Sequence, residues 1–275
     1  MDWFQAIILG LVQGLTEFLP VSSSGHLAIG KALLGVDFSG DLMFEVTVHA
    51  ATVLSTIVVF RKQIWKLLCG LFKCSYNDET DYILKICVSM IPVFVVGVFF
   101  KDFVENLFSS LMVVGVALML TSVLLFFSDM VSAGKAEAQK DSCRYRNGIS
   151  YWQAFVVGLG QACAVVPGLS RSGTTISTGL LCGVRRDTMA QFSFLMVLVP
   201  ILGEAFLDFL AVALAPMDGE VISVSVLPLV LGFLAAFASG LFACRVMISL
   251  VKKARLRWFA LYCALAGILV LIFLV

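Results

Sequence analysis

Gln5-Ala-Ile-Ile-Leu-Gly-Leu-Val-Gln-Gly leads to Pro20-Val-Ser-Ser-Ser-Gly-His26, and Gln153-Ala-Phe-Val-Val-Gly-Leu-Gly-Gln-Ala leads to Gly168-Leu-Ser-Arg-Ser-Gly-Thr174. The two stretches begin 148 positions apart, at 5 and 153, and are variants of one sequence motif. In each copy an apolar run breaks at proline and glycine into a serine-rich turn. Because the rest of the chain is mostly apolar, this pair is the first place to look for both fold and function.

The composition is that of an integral membrane protein. Hydrophobic residues make up 60% of the chain and charged residues 13%, with a mean hydropathy of +1.02. Soluble domains contain roughly 45–50% apolar residues. A transmembrane helix needs about 20 mostly apolar residues. We predict spans at roughly 42–60, 83–100, 108–128, 189–213, 224–247 and 257–275.

Two further apolar regions, 3–35 and 149–183, do not read as simple spans, because Pro, Gly, hydroxyls and an ionisable group interrupt each one. Lipid cannot satisfy an opened backbone, so such a break lies inside protein or beside water. We predict that each region is a re-entrant helix-turn-helix hairpin. The alternative of two full spans per region requires strong tilt, since 21–35 and 173–183 are short. The predicted fold is an all-α integral membrane protein with about six transmembrane helices and two such hairpins.

The distribution of Lys and Arg predicts the orientation, because these residues favour cytoplasmic loops. One side receives Arg61, Lys62, Lys66, Lys73, Lys135, Lys140, Arg144, Arg146, Arg185, Arg186, Lys252, Lys253, Arg255 and Arg257. The other side receives mainly Lys31 and Lys101, with Asp2, Asp37, Asp41, Asp102, Glu105, Asp218 and Glu220. We therefore expect both termini outside and the basic loops inside.

With this orientation the first hairpin enters from outside and the second from inside. Such an inverted-topology repeat brings two broken tips together near the bilayer midplane. We predict one membrane domain over 1–275, with a first repeat at about 1–128, a cytoplasmic linker at about 129–148 and a second repeat at about 149–275.

The first turn concentrates reactive groups. Gln13 and Glu17 are four apart and share a helix face, and Ser22 to Ser24 can cap the next helix. The free amides of a helix N-terminus and nearby hydroxyls suit an anion, above all a phosphate. Glu17 at membrane depth needs a cation, a metal or water. The alternatives are that Glu17 and His26 only orient the turn at a wet interface, and that the serines only cap.

The second turn carries Arg171 where the first has Ser23. The planar guanidinium fork suits phosphate oxygens, and Ser170, Ser172, Thr174 and Thr175 add donors. The alternative is a structural Arg171–Glu17 bridge joining the hairpins. Together the two tips can bind and cleave a phosphate or diphosphate, with Ser or His as nucleophile and His or Glu as proton carrier. No Walker loop or zinc-binding helix pattern is present in the sequence.

The strings 14–26 and 167–175 resemble the two signature motifs of the undecaprenyl-diphosphate phosphatases, the bacitracin-resistance family of bacteria. The likeness covers essentially the whole chain, including Phe44-Glu-Val and Phe192-Ser-Phe-Leu. It implies hydrolysis of undecaprenyl diphosphate to the monophosphate carrier lipid of cell-wall synthesis, in the bacterial plasma membrane, by a site that opens outward. A secondary transporter or a flippase for a phosphorylated lipid is the rival function, because broken helices in inverted repeats are common there.

The resemblance also implies roles for individual residues. The acidic motif falls on Gln13 and Glu17, which would bind a divalent cation, Mg²⁺ or Ca²⁺. The catalytic Ser and His fall on the Ser22–Ser24 run and His26, with the nucleophile open between Ser23 and His26. The substrate-binding candidates are Ser22, Ser24, Ser170, Arg171, Ser172, Gly173 and Thr175.

Two further residues, Glu45 and His49, are four apart and can line the same cavity. The expected partners are a polyprenyl diphosphate and membrane lipids, with no nucleic acid; an oligomer stays open.

Overall fold

A computed structural model describes residues 1–36, 42–73, 75–100, 103–104, 107, 110–134, 145–214, 226–253 and 255–275. Within these ranges the chain forms helices and no β-strand. In chain order the α-helices are α1 (Trp3–Phe18), α2 (Ser23–Leu34), α3 (Leu42–Leu71), α4 (Asp78–Phe99), α5 (Leu111–Gly134), α6 (Tyr151–Cys163), α7 (Arg171–Leu181), α8 (Arg186–Leu214), α9 (Val226–Lys253) and α10 (Arg257–Phe273). A short 3₁₀ helix, Arg146–Gly148, precedes α6.

The predicted spans all coincide with helices. Among the described residues, α3, α4, α5 and α9 are each long and apolar enough to cross a membrane, and α10 is a shorter apolar helix. The remaining predicted span, 189–213, lies within α8. The prediction of an all-α, multi-pass membrane protein is confirmed.

The ends of the long helices differ from the predicted spans. Helix α3 has 30 residues and is therefore about 45 Å long, whereas the hydrocarbon core is about 30 Å thick. Arg61, Lys62 and Lys66 consequently lie on the last turns of a helix and not in a loop. Lys252 and Lys253 end α9 in the same way, and α5 continues through 129–134, where we predicted the linker to begin. Apolar periodicity marked the membrane crossing but could not show how far each helix projects beyond it.

Several of the charges behind the predicted orientation lie outside the described residues: Asp37, Asp41, Lys101, Asp102, Glu105, Lys135, Lys140, Arg144, Asp218 and Glu220. Lys31, which we assigned to the outer loops, is instead buried in α2 and forms a 2.5 Å ion pair with Glu45 of α3. A pairing between residues 14 apart on two helices has no local sequence pattern, so counting charges could not show it; the side of the membrane predicted for Lys31 stays a prediction.

Both predicted hairpins have the helix-turn-helix form, and the repeated glutamine ties each one together. Gln5 Oε1 accepts from Asp2 N (2.8 Å) and Gln5 Nε2 donates to Leu34 O (3.1 Å), so one side chain caps the start of α1 and holds the end of α2. The second hairpin has the same pair of bonds, Ser150 N to Gln153 Oε1 (2.9 Å) and Gln153 Nε2 to Cys182 O (3.0 Å). The repeated sequence motif thus forms the same structural unit twice.

A repeated glycine in each hairpin sets the helix packing. Helix α1 packs on α9, and α6 packs on α4. A Cβ on Gly10 would lie 2.4 Å from Gly232 O, and one on Gly158 would lie 2.2 Å from Ser89 O. Since neither backbone carbonyl can move far, only glycine allows these close approaches, which bring both hairpin tips into the protein interior.

Candidate active site

The two hairpin tips are in direct contact. A Cβ on Gly25 would lie 3.1 Å from Gly168 Cα, and one on Gly173 would lie 3.3 Å from Pro20 Cβ. Ser172 Oγ donates to Leu19 O across the junction (3.2 Å). Turns that are distant in sequence therefore form one site.

A small pocket lies between the tips. It is lined by Thr16, Glu17, Ser22, Ser23, Ser24, Leu169, Ser170, Arg171, Ser172 and Val197. Glu17 and Arg171 are only partly buried, while Ser23 is 8% exposed. The lining thus combines a carboxylate, a guanidinium and hydroxyls from both halves of the chain.

Glu17 is the centre of the polar contacts. Its Oε2 accepts from Ser23 Oγ (2.6 Å) and from Gln13 Nε2 (2.8 Å). Arg171 and His49 also act on this carboxylate electrostatically. Ser23 therefore has a hydrogen-bonded proton acceptor, and Glu17 has the cationic neighbour that a carboxylate at this depth requires.

The serines that cap α2 and α7 are equivalent, but their backbones differ. Ser22 Oγ accepts from Gly25 N (3.3 Å), and Ser170 Oγ accepts from Gly173 N (3.1 Å). Ser22 has φ 71°, whereas Ser170 has φ −66°. A positive φ at a residue other than glycine is strained, and such strain clusters at functional sites. Of the two capping serines, only Ser22 in the first turn has this strained conformation.

The imidazole of His26 is held at both nitrogens. Nδ1 lies 2.7 Å from Ser22 O, and Nε2 lies 2.7 Å from the hydroxyl of Tyr262 in α10. Since a carbonyl only accepts, Nδ1 carries the proton towards Ser22. His26 is not part of the pocket lining.

The chain matches a known protein family over almost its full length. The model of the family described as bacitracin resistance protein BacA matches residues 6–269. The chain belongs to this family. Among its relatives, an undecaprenyl-diphosphatase from Bacteroides thetaiotaomicron is 54% identical and covers 99% of both chains. One from Parabacteroides distasonis is 53% identical, over 98% of this chain and 97% of the relative. One from Methanococcus vannielii is 38% identical, over 98% of this chain and 99% of the relative.

In this BacA-family chain seven predicted site residues line the pocket: Glu17, Ser22, Ser23, Ser24, Ser170, Arg171 and Ser172. Gln13, His26, Glu45 and His49 are not among them, and neither are Thr175 and Gly173 of the second turn. Thr175 is fully buried, and its hydroxyl bonds to Arg171 O (2.8 Å) and Ser193 Oγ (2.6 Å). The amide of Gly173 is used by the Ser170 cap. Both residues therefore stabilise the turn behind Arg171, and the phosphate contacts predicted for them stay predictions.

Glu45 and His49 lie beside the pocket lining and not in it. Glu45 pairs with Lys31 (2.5 Å), and His49 Nδ1 lies 2.9 Å from Glu45 O. His49 acts electrostatically on the Glu17 carboxylate. The cavity-lining role of both residues stays a prediction.

Sequence reasoning missed two supporting contacts from other helices. Tyr262 approaches His26 from α10, and Thr121 of α5 accepts from Ser170 N (3.1 Å). Neither contact has a signal in local spacing. Ser193 could have been found, because it lies 148 positions after Glu45, the repeat distance.

Gln13 provides a test of whether the site suits a cation. Its side chain is fully buried, and its Oε1 has no hydrogen-bond partner among the described atoms, although Nε2 bonds to Glu17. A buried orphaned oxygen beside a carboxylate suits a hard cation. Within the described part of the chain, no group of three or more His, Cys, Asp or Glu residues could hold a metal. The donors fit a cation that takes its remaining ligands from phosphate oxygens and water.

Proposed function

We propose that this protein hydrolyses undecaprenyl diphosphate to undecaprenyl phosphate and inorganic phosphate, and so recycles the lipid carrier of cell-wall synthesis. The observation that carries this proposal is one pocket in which Arg171 faces a Ser23–Glu17 hydrogen bond of 2.6 Å. Relatives that are 54% and 53% identical over nearly the full length carry the name undecaprenyl-diphosphatase. Phosphoryl transfer needs mainly positioned cations and donors, which this pocket combines with a nucleophile.

Arg171 and the serines of the two turns bind the diphosphate. The guanidinium binds terminal phosphate oxygens as a fork. Helices α2 and α7 both begin at the pocket, so the positive ends of two helix dipoles point at the bound anion. The hydroxyls available as further donors are those of Ser22, Ser24, Ser170 and Ser172.

Ser23 attacks the terminal phosphorus, and its proton passes to Glu17. The bond from that phosphorus to the bridging oxygen breaks, and undecaprenyl phosphate leaves with the electron pair. Water then attacks the phosphoserine, gives a proton to restore Ser23, and releases inorganic phosphate. Ser23 is preferred to His26 as the nucleophile because its Oγ already bonds to a proton acceptor, whereas both imidazole nitrogens of His26 are engaged by other groups.

Gln13 Oε1 and Glu17 are the residues that would hold a divalent cation, Mg²⁺ or Ca²⁺. When bound, the cation neutralises charge on the diphosphate. Gln13 also donates to Glu17 and thereby holds its carboxylate towards Ser23. The neutral Gln13 leaves Glu17 as the one carboxylate among the pocket-lining residues.

The membrane arrangement belongs to the same proposal. The hairpins are re-entrant and inserted from opposite faces of the bacterial plasma membrane, the site opens outward, and the basic loops are cytoplasmic. In support, helix bounds in the two halves correspond at the 148-residue offset, with α1 and α2 matching α6 and α7. Arg61, Lys66 and Arg146 lie on described segments of the proposed cytoplasmic side.

Phosphate release from a prenyl diphosphate by the purified protein tests the function. We expect wild type to release phosphate with Mg²⁺ or Ca²⁺ present, and Arg171→Ala to lower kcat/KM by about 10²–10³-fold, the typical loss for one charge-stabilising group. Arg61→Ala is the matched control, because Arg61 is exposed on α3 and its guanidinium donates to Val58 O of the same helix, away from the pocket lining. Movement of phosphorylated lipid across liposomes with no phosphate release would instead establish the transporter or flippase.

A further inference from the structure

The contacts of His26 define one form of its ring. Nδ1 faces the carbonyl of Ser22 and therefore carries a proton, which leaves the lone pair of neutral Nε2 facing the Tyr262 hydroxyl. Tyr262 is then the donor in this 2.7 Å bond. A histidine ring with one nitrogen bonded to a fixed carbonyl and the other to a hydroxyl is held in one tautomer and one orientation.

Helix α10 brings Tyr262 to this place. The rings of Tyr262 and His26 lie nearly parallel, at 11° with centroids 5.5 Å apart. The next residue, Cys263, contacts Pro20 O through its sulfur (3.7 Å). Two consecutive residues of α10 therefore touch the first hairpin tip, and the Tyr262 contact belongs to a packed junction.

The other end of the His26 ring acts on the strained turn. The Ser22 carbonyl accepts from both His26 N (3.2 Å) and His26 Nδ1 (2.7 Å). The second hairpin is an internal comparison, since Thr174 occupies the position of His26 and donates to Ser170 O only through its backbone (2.8 Å). There the capping serine has an ordinary φ. Of the two capping serines, only Ser22 has a positive φ, and only its carbonyl accepts a second bond, from an imidazole.

We propose that Tyr262 is a positioning residue of this active site. Its hydroxyl holds His26 in the Nδ1–H form, His26 fixes the Ser22 carbonyl, and the resulting turn directs Ser23 at Glu17. The effect on catalysis rests on the proposed function, whereas the state of the His26 ring does not. This assigns α10, which contributes no residue to the pocket lining, a part in the reaction.

Tyr262→Phe is the decisive variant, because it removes the hydroxyl and keeps the ring that lies against His26. We expect kcat to fall by about two- to tenfold, the worth of one hydrogen bond, with KM unchanged because Tyr262 does not touch the substrate. Tyr145→Phe is the matched control, since Tyr145 is exposed before the 3₁₀ helix. An unchanged kcat, with or without a rise in KM, would overturn the positioning role.

The ring itself can be observed separately from activity. The chain has two histidines, so a ¹⁵N spectrum of labelled imidazoles contains two ring systems, and His49→Gln identifies that of His26. We expect His26 to be a single Nδ1–H tautomer in wild type and a mixture of tautomers in Tyr262→Phe. If His26 of the wild type is already a mixture of tautomers, or carries its proton on Nε2, the proposal is wrong.

These measurements separate the two proposals. If wild type releases no phosphate, the hydrolase function fails, while the ring spectra still test the Tyr262–His26 contact. If wild type releases phosphate and Tyr262→Phe leaves both kcat and the spectrum unchanged, only the role of Tyr262 fails.

Discussion

The two hairpins share a framework and differ in chemistry. Each framework consists of a glutamine that ties the hairpin ends, a glycine at a close helix contact and a serine that caps the second helix. The equivalent framework residues are Gln5 and Gln153, Gly10 and Gly158, Ser22 and Ser170, and Gly25 and Gly173. Even the contact between the capping serine and the serine two residues on is 3.4 Å in both.

The reactive groups occupy positions where the copies differ. At the 148-residue offset, Glu17 corresponds to Val165, Ser23 to Arg171, and His26 to Thr174. Gln161 repeats Gln13, including a buried Oε1 without a partner among the described atoms, but it has no carboxylate four residues on. The same framework thus occurs twice, with the proposed nucleophile on one copy and the proposed phosphate-binding arginine on the other.

Replacing Ser23 tests this division most strongly. Ser23→Ala removes the nucleophile and should lower kcat by at least about 10³-fold, because only binding and charge stabilisation remain. Ser24→Ala removes one pocket donor and should cost about tenfold or less. Rapid quenching with ³²P-labelled substrate should trap an acid-stable phosphoserine in wild type and none in Ser23→Ala. An acid-labile phosphoenzyme that persists in Ser23→Ala would move the nucleophile to His26.

The sequence predicted the helices and the meeting of the tips for a physical reason. Long apolar runs must form helices in lipid, and a polar break in such a run must be buried in protein. Glu17, Ser23 and Arg171 were predicted because charged and hydroxyl residues within apolar segments are costly unless they are used, and all three line one pocket. The predicted pairing of two broken tips agrees with the contact of Gly25 with Gly168.

Contacts set by packing between distant helices were not predictable. Tyr262 meets His26 across 236 positions, and Lys31 pairs with Glu45 across a segment outside the described residues. The strain at Ser22 has no clear sequence signal either, since Ser170 is followed by Ser and Gly at the same two positions, 172 and 173, and yet has an ordinary φ. Residue type indicates the chemistry a chain can do, whereas the orientation of each group depends on packing.

The glycine contacts test the shared framework. Gly10→Ala and Gly158→Ala each place a methyl against a backbone carbonyl, so both should destabilise the protein by about 1–3 kcal/mol, the cost of overpacking. Thermal unfolding in detergent measures this effect. Gly97→Ala is the control, because a Cβ there meets nothing within 4 Å. A large loss at Gly10 with none at Gly158 would show that the second hairpin does not depend on the same packing.

The most local expected effect comes from the glutamines that tie the hairpin ends. Gln5→Ala and Gln153→Ala each remove two hydrogen bonds and should cost about 1–3 kcal/mol in total, at about 0.5–1.5 kcal/mol each. The loss is local, because each glutamine reaches only the ends of its own hairpin. Hydrogen exchange should therefore speed up near Leu34 in Gln5→Ala and near Cys182 in Gln153→Ala.

Each glutamine variant is the control for the other. Faster exchange at both hairpins in either variant would mean that the tips transmit unfolding between the two copies, and the framework would then be one cooperative unit. Exchange confined to the altered hairpin is the expected result, because each glutamine bonds only at the ends of its own hairpin that lie away from the tips. The tips meet elsewhere, through close packing, the hydrogen bond from Ser172 Oγ to Leu19 O, and the electrostatic effect of Arg171 on Glu17. That outcome would show that the turn with Ser23 and the turn with Arg171 are stabilised independently and are coupled only where the substrate is proposed to bind.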